Sequence, residues 1–220
     1  MVQVTKKINI KQKARMKTGV KIEERMKIKL IYMIIAVTLM LSGCKKEPVY
    51  YGKPDNTPYA TKECIKELSK GAELRGKPVD KLVAFKKKRR LYAYAQGKLV
   101  GEFPFSLGKN GDKGDKVQVG DYRTPEGNYK IVRKKCDNRL YKSLMISYPN
   151  HSDRKRARKR GVNPGGYITI HGQPKWNADG RGDRYTLAND WTEGCLAVPN
   201  KAMDRLWVAV KNGVKIEIKA

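Results

Sequence analysis

Histidine is almost absent from this sequence of 220 residues, which contains 2 histidines and 4 cysteines. The cysteines are scattered, and no histidine stands close to any of them along the chain. Protein zinc sites are built from closely spaced pairs of these ligands. The sequence therefore predicts no metal centre. Only these six residues could supply a thiol or an imidazole for catalysis.

Acidic residues are also scarce, since 21 Asp and Glu stand against 49 Lys and Arg, giving a formal net charge of +28. Such a charge favours polyanions: nucleic acid, anionic lipid or anionic cell-envelope polymer. The most basic stretch is RKRARKR, residues 154–160. It is either a solvated surface segment or an attachment point for carboxylates and phosphates of the envelope, which salt would weaken.

The sequence has no apolar run long enough to cross a membrane comfortably. The longest, Leu30 to Leu41, has 12 residues, whereas a spanning helix needs about 20. Lysines precede it and Ser42-Gly43-Cys44 follows, which is typical of an export signal. LSGC resembles the lipobox of bacterial lipoproteins, and this implies an acylated Cys44 at the mature N-terminus. The alternatives are an ordinary signal-anchor or a buried helix.

This signal sets the predicted domain organisation. Residues 1–25 lie upstream of it and are highly charged, so we expect translation to begin at Met26 and the extension to be a gene-start error. Residues 26–43 form the signal peptide, 44–60 a tether without apolar periodicity, and 61–78 a short helical lead-in. Residues 79–220 form one domain. Export also argues against nucleic acid as a partner.

Within that domain, short runs rich in aromatic and branched residues alternate with Gly and Pro turns. They predict strands over 81–86, 90–95, 99–107, 128–133, 143–148, 166–170 and 214–218. One helix is predicted from a capping Asn200, with Met203, Leu206, Trp207 and Val210 on one face, to Gly213. The pattern indicates a mainly β fold, sandwich or barrel-like, with a few short helices.

The candidate site combines His171, at the end of YITIHG, with Cys195, inside DWTEGCLAVPN. A thiol becomes a strong nucleophile when a nearby imidazole deprotonates it. Gly172 and Gly194 allow close approach of the backbone, and the N–H groups of Gly194 and Cys195 could stabilise an oxyanion. Taken alone, these residues are equally compatible with a buried structural thiol and a hydrogen-bonded strand-end histidine.

Four segments resemble the YkuD-type L,D-transpeptidase catalytic domain: VGDYRTPEGNYKI, SLMISYPN, GGYITIHG and DWTEGCLAVPN. The family pattern is a histidine, a spacer, then Ser/Thr-His-Gly-Cys and an asparagine. Thr192, Gly194 and Cys195 match it directly. Glu193 stands where a second histidine is commoner, and Asn200 comes later than the usual asparagine. The resemblance covers about two thirds of the chain.

The resemblance implies a cysteine-dependent acyltransferase of the cell wall, with roles in cell-wall organisation and cell shape. Cys195 would attack the bond between a diamino acid and D-alanine in a peptidoglycan stem, with His171 as the sole base, oriented by the Gly172 carbonyl. No cofactor is needed, and a monomer is expected. Weaker candidates for substrate binding are Tyr148, Asn150, Arg184, Asp190 and Trp191.

Two rival functions remain open. The same domain could be a murein hydrolase that cuts a stem peptide or a protein–murein link, or a non-catalytic envelope-binding lipoprotein. In every case the protein would be lipid-anchored and face the periplasm or extracytoplasmic space. Cys64 and Cys136 are then either a disulfide, which export permits, or two buried thiols.

Overall fold

The computed structural model describes residues 78–220 and, upstream, Lys27 and Lys29. The chain divides into two compact units, residues 1–48 and 49–220. Lys27 and Lys29 are helical and exposed. The predicted signal peptide otherwise lies outside the described residues, as do Cys44, Cys64, the tether and the helical lead-in.

Eight strands form one curled sheet in the described part of the second unit. They are β1 (Val79–Phe85), β2 (Arg90–Ala95), β3 (Lys98–Pro104), β4 (Gly127–Asp137), β5 (Tyr141–Ile146), β6 (Thr169–His171), β7 (Leu196–Ala197) and β8 (Val210–Lys219). The helices are α1 (His151–Lys159), α2 (Asp183–Ala188) and α3 (Asn200–Ala209), with a 3-10 turn at Lys175–Asn177. The prediction of a mainly β fold with a few short helices is confirmed.

The strand order is β3-β2-β1-β8-β4-β5-β6-β7. The long strand β4 joins the two halves of the sheet, because its first residues pair with β8 and the remainder pairs with β5. The β1–β8 and β6–β7 pairs are parallel, and the other neighbours are antiparallel. The short pair β6–β7 lies at the end of this order: His171 is the last residue of β6, and Cys195 immediately precedes β7.

Strand β2 shows why the alternating runs form strands. Leu91, Ala93 and Ala95 are buried, while the residues between them are partly exposed. Successive side chains of a strand point to opposite faces, so an alternating run buries one face against the core. The helix α3, which contacts β5 and β8, contributes Met203, Leu206 and Trp207 to the same core. Full burial of one such side chain contributes roughly 1.5–3 kcal/mol.

Two details of the predicted C-terminal helix are wrong. Asn200 is the first residue of α3 and not its cap, because its side chain is bonded to the segment after His171. The helix ends at Ala209, and Val210 already belongs to β8. Gly213, the predicted stop, lies inside a bulge of β8 with φ +92°. Pairing with β1 thus overrides the helical pattern at Val210.

Most of the basic run of residues 154–160 is helical, and its last residue, Arg160, is the C-cap of the helix. In α1, Asn150 accepts from the N–H of Asp153, and the Asp153 carboxylate accepts from the N–H of Asn150, which is a capping box. Asp153 and Ala157 are the buried residues of this helix. Its Arg and Lys side chains are exposed, which is compatible with both predicted roles, a solvated surface segment and an attachment point for the envelope.

Two further sequence predictions concern cysteines and membranes. Cys136 is disulfide-bonded, which excludes the alternative of two buried thiols for this residue, and its partner lies outside the described residues. Cys195 carries a free thiol. Among the helices that the structure describes, none is long and apolar enough to cross a membrane.

Candidate active site

The neighbouring strands β6 and β7 bring His171 and Cys195 together. Ile170 pairs with Leu196 and His171 with Ala197, so the same register places Cys195 opposite Thr169. Alternate residues of a strand share a face, and His171 therefore lies on the same face as Thr169. The Sγ atom of Cys195 is 3.4 Å from the N of Thr169 and 3.5 Å from its Oγ1.

The imidazole of His171 is held in one orientation. The residue is 1% exposed, and its Nδ1 lies 2.7 Å from the carbonyl oxygen of Gly172. A carbonyl can only accept, so Nδ1 carries the proton of this bond and Nε2 is left for the thiol. The Trp191 ring packs edge-on against the imidazole, with centroids 5.6 Å apart. This is the bond to Gly172 that the family resemblance implies.

The two groups shift each other's protonation. Burial opposes the charged form of His171, but the hydrogen bond to Cys195 and the charge of its thiolate outweigh burial and raise the pKa of His171. Burial likewise opposes the thiolate, yet bonding to His171, the imidazolium charge and the contacts with Thr169 lower the pKa of Cys195. Both shifts act towards the thiolate and the imidazolium, and the thiolate is the nucleophilic form of a cysteine.

Thr192 fixes the turn that carries the cysteine. It is buried; its Oγ1 donates to the carbonyl of Cys195 at 2.8 Å and accepts from the N–H of Gly194 at 3.2 Å. The second bond corrects one expectation. The N–H of Gly194 is used inside the turn, so in this conformation it is not directed at an oxyanion.

Asn200 positions the other half of the site. Its Oδ1 accepts from the N–H of Gln173 at 2.7 Å, and its Nδ2 donates to the carbonyl of Ala178 at 3.2 Å. These bonds tie the start of α3 to the segment that follows His171. A Cβ on Gly172 would stand 2.5 Å from Oδ1 of Asn200, so glycine is required at this close approach.

The weaker candidates are mostly absent from the pocket beside Cys195. Tyr148 is buried and donates from its hydroxyl to the carbonyl of Pro164, and Asn150 caps α1. Asp190 pairs with Arg89 and accepts from the N–H of Leu107. Arg184 lies exposed on α2 and does not line the pocket. Trp191 is the one member of this set that lines it.

The pocket itself has a volume of about 540 Å³. Sequence reasoning did not assign several of its lining residues, namely Lys116, Val119, Tyr122, Arg139, Leu140 and Tyr167. Tyr122 and Tyr167 have positive φ and are exposed, a combination that clusters at functional sites. The sequence signal for Tyr167 is the preceding Gly165-Gly166, which is typical of an irregular segment.

Within the described residues, no cluster of His, Cys, Asp and Glu could hold a metal ion. The reactive groups of the pocket are one thiol and one imidazole. The geometry is therefore that of a nucleophile and a base facing an open cavity, an arrangement suited to acyl transfer.

Comparison with known families identifies the domain that contains this pocket. The model of the YkuD family, an L,D-transpeptidase catalytic domain, matches residues 80–218. The chain belongs to this family. The matched region contains the whole pocket, including His171 and Cys195.

Individual relatives share only a small part of their sequence with this chain. YafK of Escherichia coli strain K12, whose name assigns it provisionally to the L,D-transpeptidases, is 27% identical over 179 residues, which is 79% of this chain and 61% of YafK. The crystal structure of the helical cell shape determining protein Pgp2 from Campylobacter jejuni is 25% identical with a TM-score of 0.49, over 77% of this chain and 53% of Pgp2. An L,D-transpeptidase from Mycobacterium smegmatis is 12% identical with a TM-score of 0.44, over 64% of this chain and 58% of that one. The chain thus matches only about three fifths of its curated relative.

Gly194 offers a test of how tightly this YkuD domain constrains its cysteine turn. Its φ is +130°, and an added Cβ would lie 2.7 Å from the carbonyl oxygen of Arg123 and 3.1 Å from Cδ1 of Ile168. We predict that Gly194→Ala lowers the free energy of unfolding by about 2–4 kcal/mol, through backbone strain and overpacking together. Urea unfolding followed by circular dichroism measures it.

Gly213→Ala is the matched control, because Gly213 also has positive φ but an added Cβ would meet nothing within 4 Å. Its free energy of unfolding should fall only by the strain of a non-glycine residue in the left-handed region, about 1–2 kcal/mol. Equal losses in the two variants would contradict the steric part of the argument.

Proposed function

We propose that this protein is a peptidoglycan L,D-transpeptidase in which Cys195 is the nucleophile and His171 the acid and base. The observation that supports it is the contact between a partly exposed thiol of lowered pKa and a buried imidazole of raised pKa, at the wall of a pocket. Domains of this family act on peptidoglycan stem peptides.

In the first half-reaction, the thiolate of Cys195 attacks the carbonyl carbon of the bond between the diamino acid and D-alanine. The tetrahedral intermediate collapses as the C–N bond breaks, and the imidazolium of His171 gives its proton to the departing amine. D-alanine leaves with a neutral amino group that water protonates. The diamino acid remains bound to Cys195 as a thioester. With Gly194 engaged by Thr192, the N–H of Cys195 is the oxyanion donor in this proposal.

In the second half-reaction, an acceptor amine attacks the carbonyl carbon of the thioester and gives a proton to His171. The C–S bond breaks, and Cys195 is released as the thiolate beside the imidazolium of His171. An amine of a neighbouring stem gives a 3–3 crosslink, and an amine of a protein gives an attached protein. Cys195 is half-buried at an open pocket, so water is also able to reach the thioester. Hydrolysis by the same acyl-enzyme is therefore the second candidate function.

The test is incubation of the full chain with a tetrapeptide muropeptide, followed by mass spectrometry of both protein and products. We expect a thioester adduct on the peptide that contains Cys195, loss of D-alanine and 3–3 dimers. Tripeptide without dimers would identify a hydrolase. The absence of both the adduct and the products would refute the enzymatic proposal.

We propose further that the protein is exported and anchored through a lipid on Cys44, facing the periplasm or extracytoplasmic space. The support is the LSGC sequence after a basic and then apolar stretch. Mass spectrometry of the mature N-terminal peptide should find acyl chains on Cys44. An unmodified N-terminus upstream of Cys44 would contradict the anchor.

A further inference from the structure

Three charged side chains line the pocket beside the reactive pair: Lys116, Arg139 and Glu193. Lys116 is 5% exposed, and its Nζ is 2.6 Å from Oδ1 of Asp121 and 3.0 Å from the carbonyl oxygen of Gln118. The charge of Lys116 is therefore neutralised within the fold. Two charges of opposite sign, Arg139 and Glu193, remain to meet a ligand.

Arg139 stands at the tip of the β4–β5 hairpin. Asp137 fixes this turn, because its Oδ1 accepts from the N–H of Arg139 at 2.9 Å and from that of Leu140 at 3.1 Å. The strand β5 that follows this turn pairs with β6, with Ser143 opposite His171, and Arg139 and Leu140 line the same pocket as the imidazole. The guanidinium group is exposed and makes no ion pair with any described residue.

Glu193 lies in the turn immediately before Gly194-Cys195. It is exposed, lines the pocket, and has no ion-pair partner among residues 78–220. Hydrogen bonds from His171 and Thr169 and the charge of His171 lower the pKa of the Cys195 thiol against the opposing effect of burial. In the proposed mechanism His171 is the base, so the carboxylate of Glu193 is left for a cation.

We propose that Arg139 and Glu193 bind the end of a peptide that carries one negative and one positive charge. Arg139 binds its carboxylate, and Glu193 binds its ammonium group. The inference rests on the proposed function, because a stem peptide supplies both groups. Its terminal D-alanine has a carboxylate, and the side chain of its diamino acid has an ammonium group. Arginine's planar fork suits a carboxylate, and opposed charges fix which way the peptide lies across Cys195.

This assignment fixes the direction in which the stem peptide lies across the site. A carboxylate held at Arg139 places the leaving D-alanine at the hairpin, on the side of the imidazole that must protonate its amine. An ammonium held at Glu193 places the diamino acid on the side of the turn that carries Cys195. Stems that end in an amide, or whose diamino acid side chain is blocked, lose one of the two contacts.

The experiment crosses two variants with three peptides. The peptides are the tetrapeptide, its C-terminal carboxamide and its form acetylated on the diamino acid side chain. The variants Arg139→Gln and Glu193→Gln remove one charge each and keep polarity and approximate size. Arg158→Gln, an exposed arginine on α1, is the matched control. The rate of thioester formation is measured for every combination with the full chain.

We expect the wild type to discriminate against each modified peptide by about 10- to 100-fold, the usual strength of a charge-assisted contact. Arg139→Gln should abolish discrimination against the carboxamide alone, and Glu193→Gln discrimination against the acetylated form alone. Arg158→Gln should match the wild type. A variant that slows all three peptides equally, or discriminates as the wild type does, overturns its assignment.

Peptide binding to the Cys195→Ala background, measured by calorimetry, separates this inference from the function on which it rests. The same pattern of charge-dependent binding supports the recognition residues even when no thioester forms. A wild type that is acylated by all three peptides at equal rates keeps the proposed function and refutes the inference. Absence of both acylation and binding refutes the two together.

Discussion

Replacing Cys195 with alanine should abolish acylation by a tetrapeptide stem, with a loss of at least about a thousandfold, as for removal of a nucleophile in other acyl-transfer enzymes. The physical reason is direct. The described residues contain one free thiol, and it lies at the pocket with its pKa lowered by His171 and Thr169. The measurement is the mass of the intact protein after reaction with tetrapeptide or with a carbapenem.

The fold should survive this substitution. Cys195 is only partly buried, and its backbone contacts in the turn use the carbonyl oxygen, which alanine retains. Thermal unfolding of the variant should therefore lie close to that of the wild type. Full activity in the variant, or an unreactive wild-type thiol, would instead favour the rival interpretation of a non-catalytic envelope-binding protein.

Much of the fold could be predicted because local pattern and tertiary role agree. The run RLYAYA alternates in polarity, and β2 occupies those same residues, Arg90–Ala95. The local pattern is misleading where pairing with a strand distant in sequence decides the secondary structure. Val210 continues the apolar face of α3 in sequence, but pairing with β1 draws it into β8. No local signal reports that competition.

The candidate site divides in the same way. His171 and Cys195 could be found because rare residues in a dense motif carry information by themselves. Tyr148 and Asn150 belong to another motif of the resemblance, yet serve the core and a helix cap. The position of Arg139 in the pocket could not be predicted, because it depends on where the β4–β5 hairpin folds relative to Cys195. Sequence proximity therefore predicts chemistry only along one strand or one turn.

Replacing His171 with glutamine tests the other half of the mechanism. Glutamine can still donate to the Gly172 carbonyl, but it can neither accept the thiol's proton nor protonate the leaving amine. Acylation should fall by about 10²- to 10⁴-fold, the usual contribution of a general acid and base. The pKa of Cys195 should rise, because burial then acts without the opposing bond and charge of His171.

The sign of the pH effect follows from the two shifts. The thiolate persists below the ordinary pKa of cysteine, and the imidazolium persists above that of histidine. Wild-type acylation should therefore fall at low pH as the thiolate is protonated, and at high pH as the imidazolium loses its proton. In His171→Gln the fall of the acylation rate at low pH should begin at a higher pH, because the pKa of Cys195 is raised. Iodoacetamide alkylation at about pH 6 should slow about tenfold for each unit of rise in the thiol pKa.

Thr169→Val is the control for this result. It removes the Oγ1 contact at 3.5 Å but keeps the backbone N–H contact at 3.4 Å and the whole imidazole. Its alkylation profile should move far less than that of His171→Gln. A thioester that forms at the normal rate in His171→Gln would contradict the mechanism, because the remaining ionisable side chain closest in sequence to Cys195 is Glu193. The carboxylate would then be the base, and its assignment as an ammonium-binding group would fall with it.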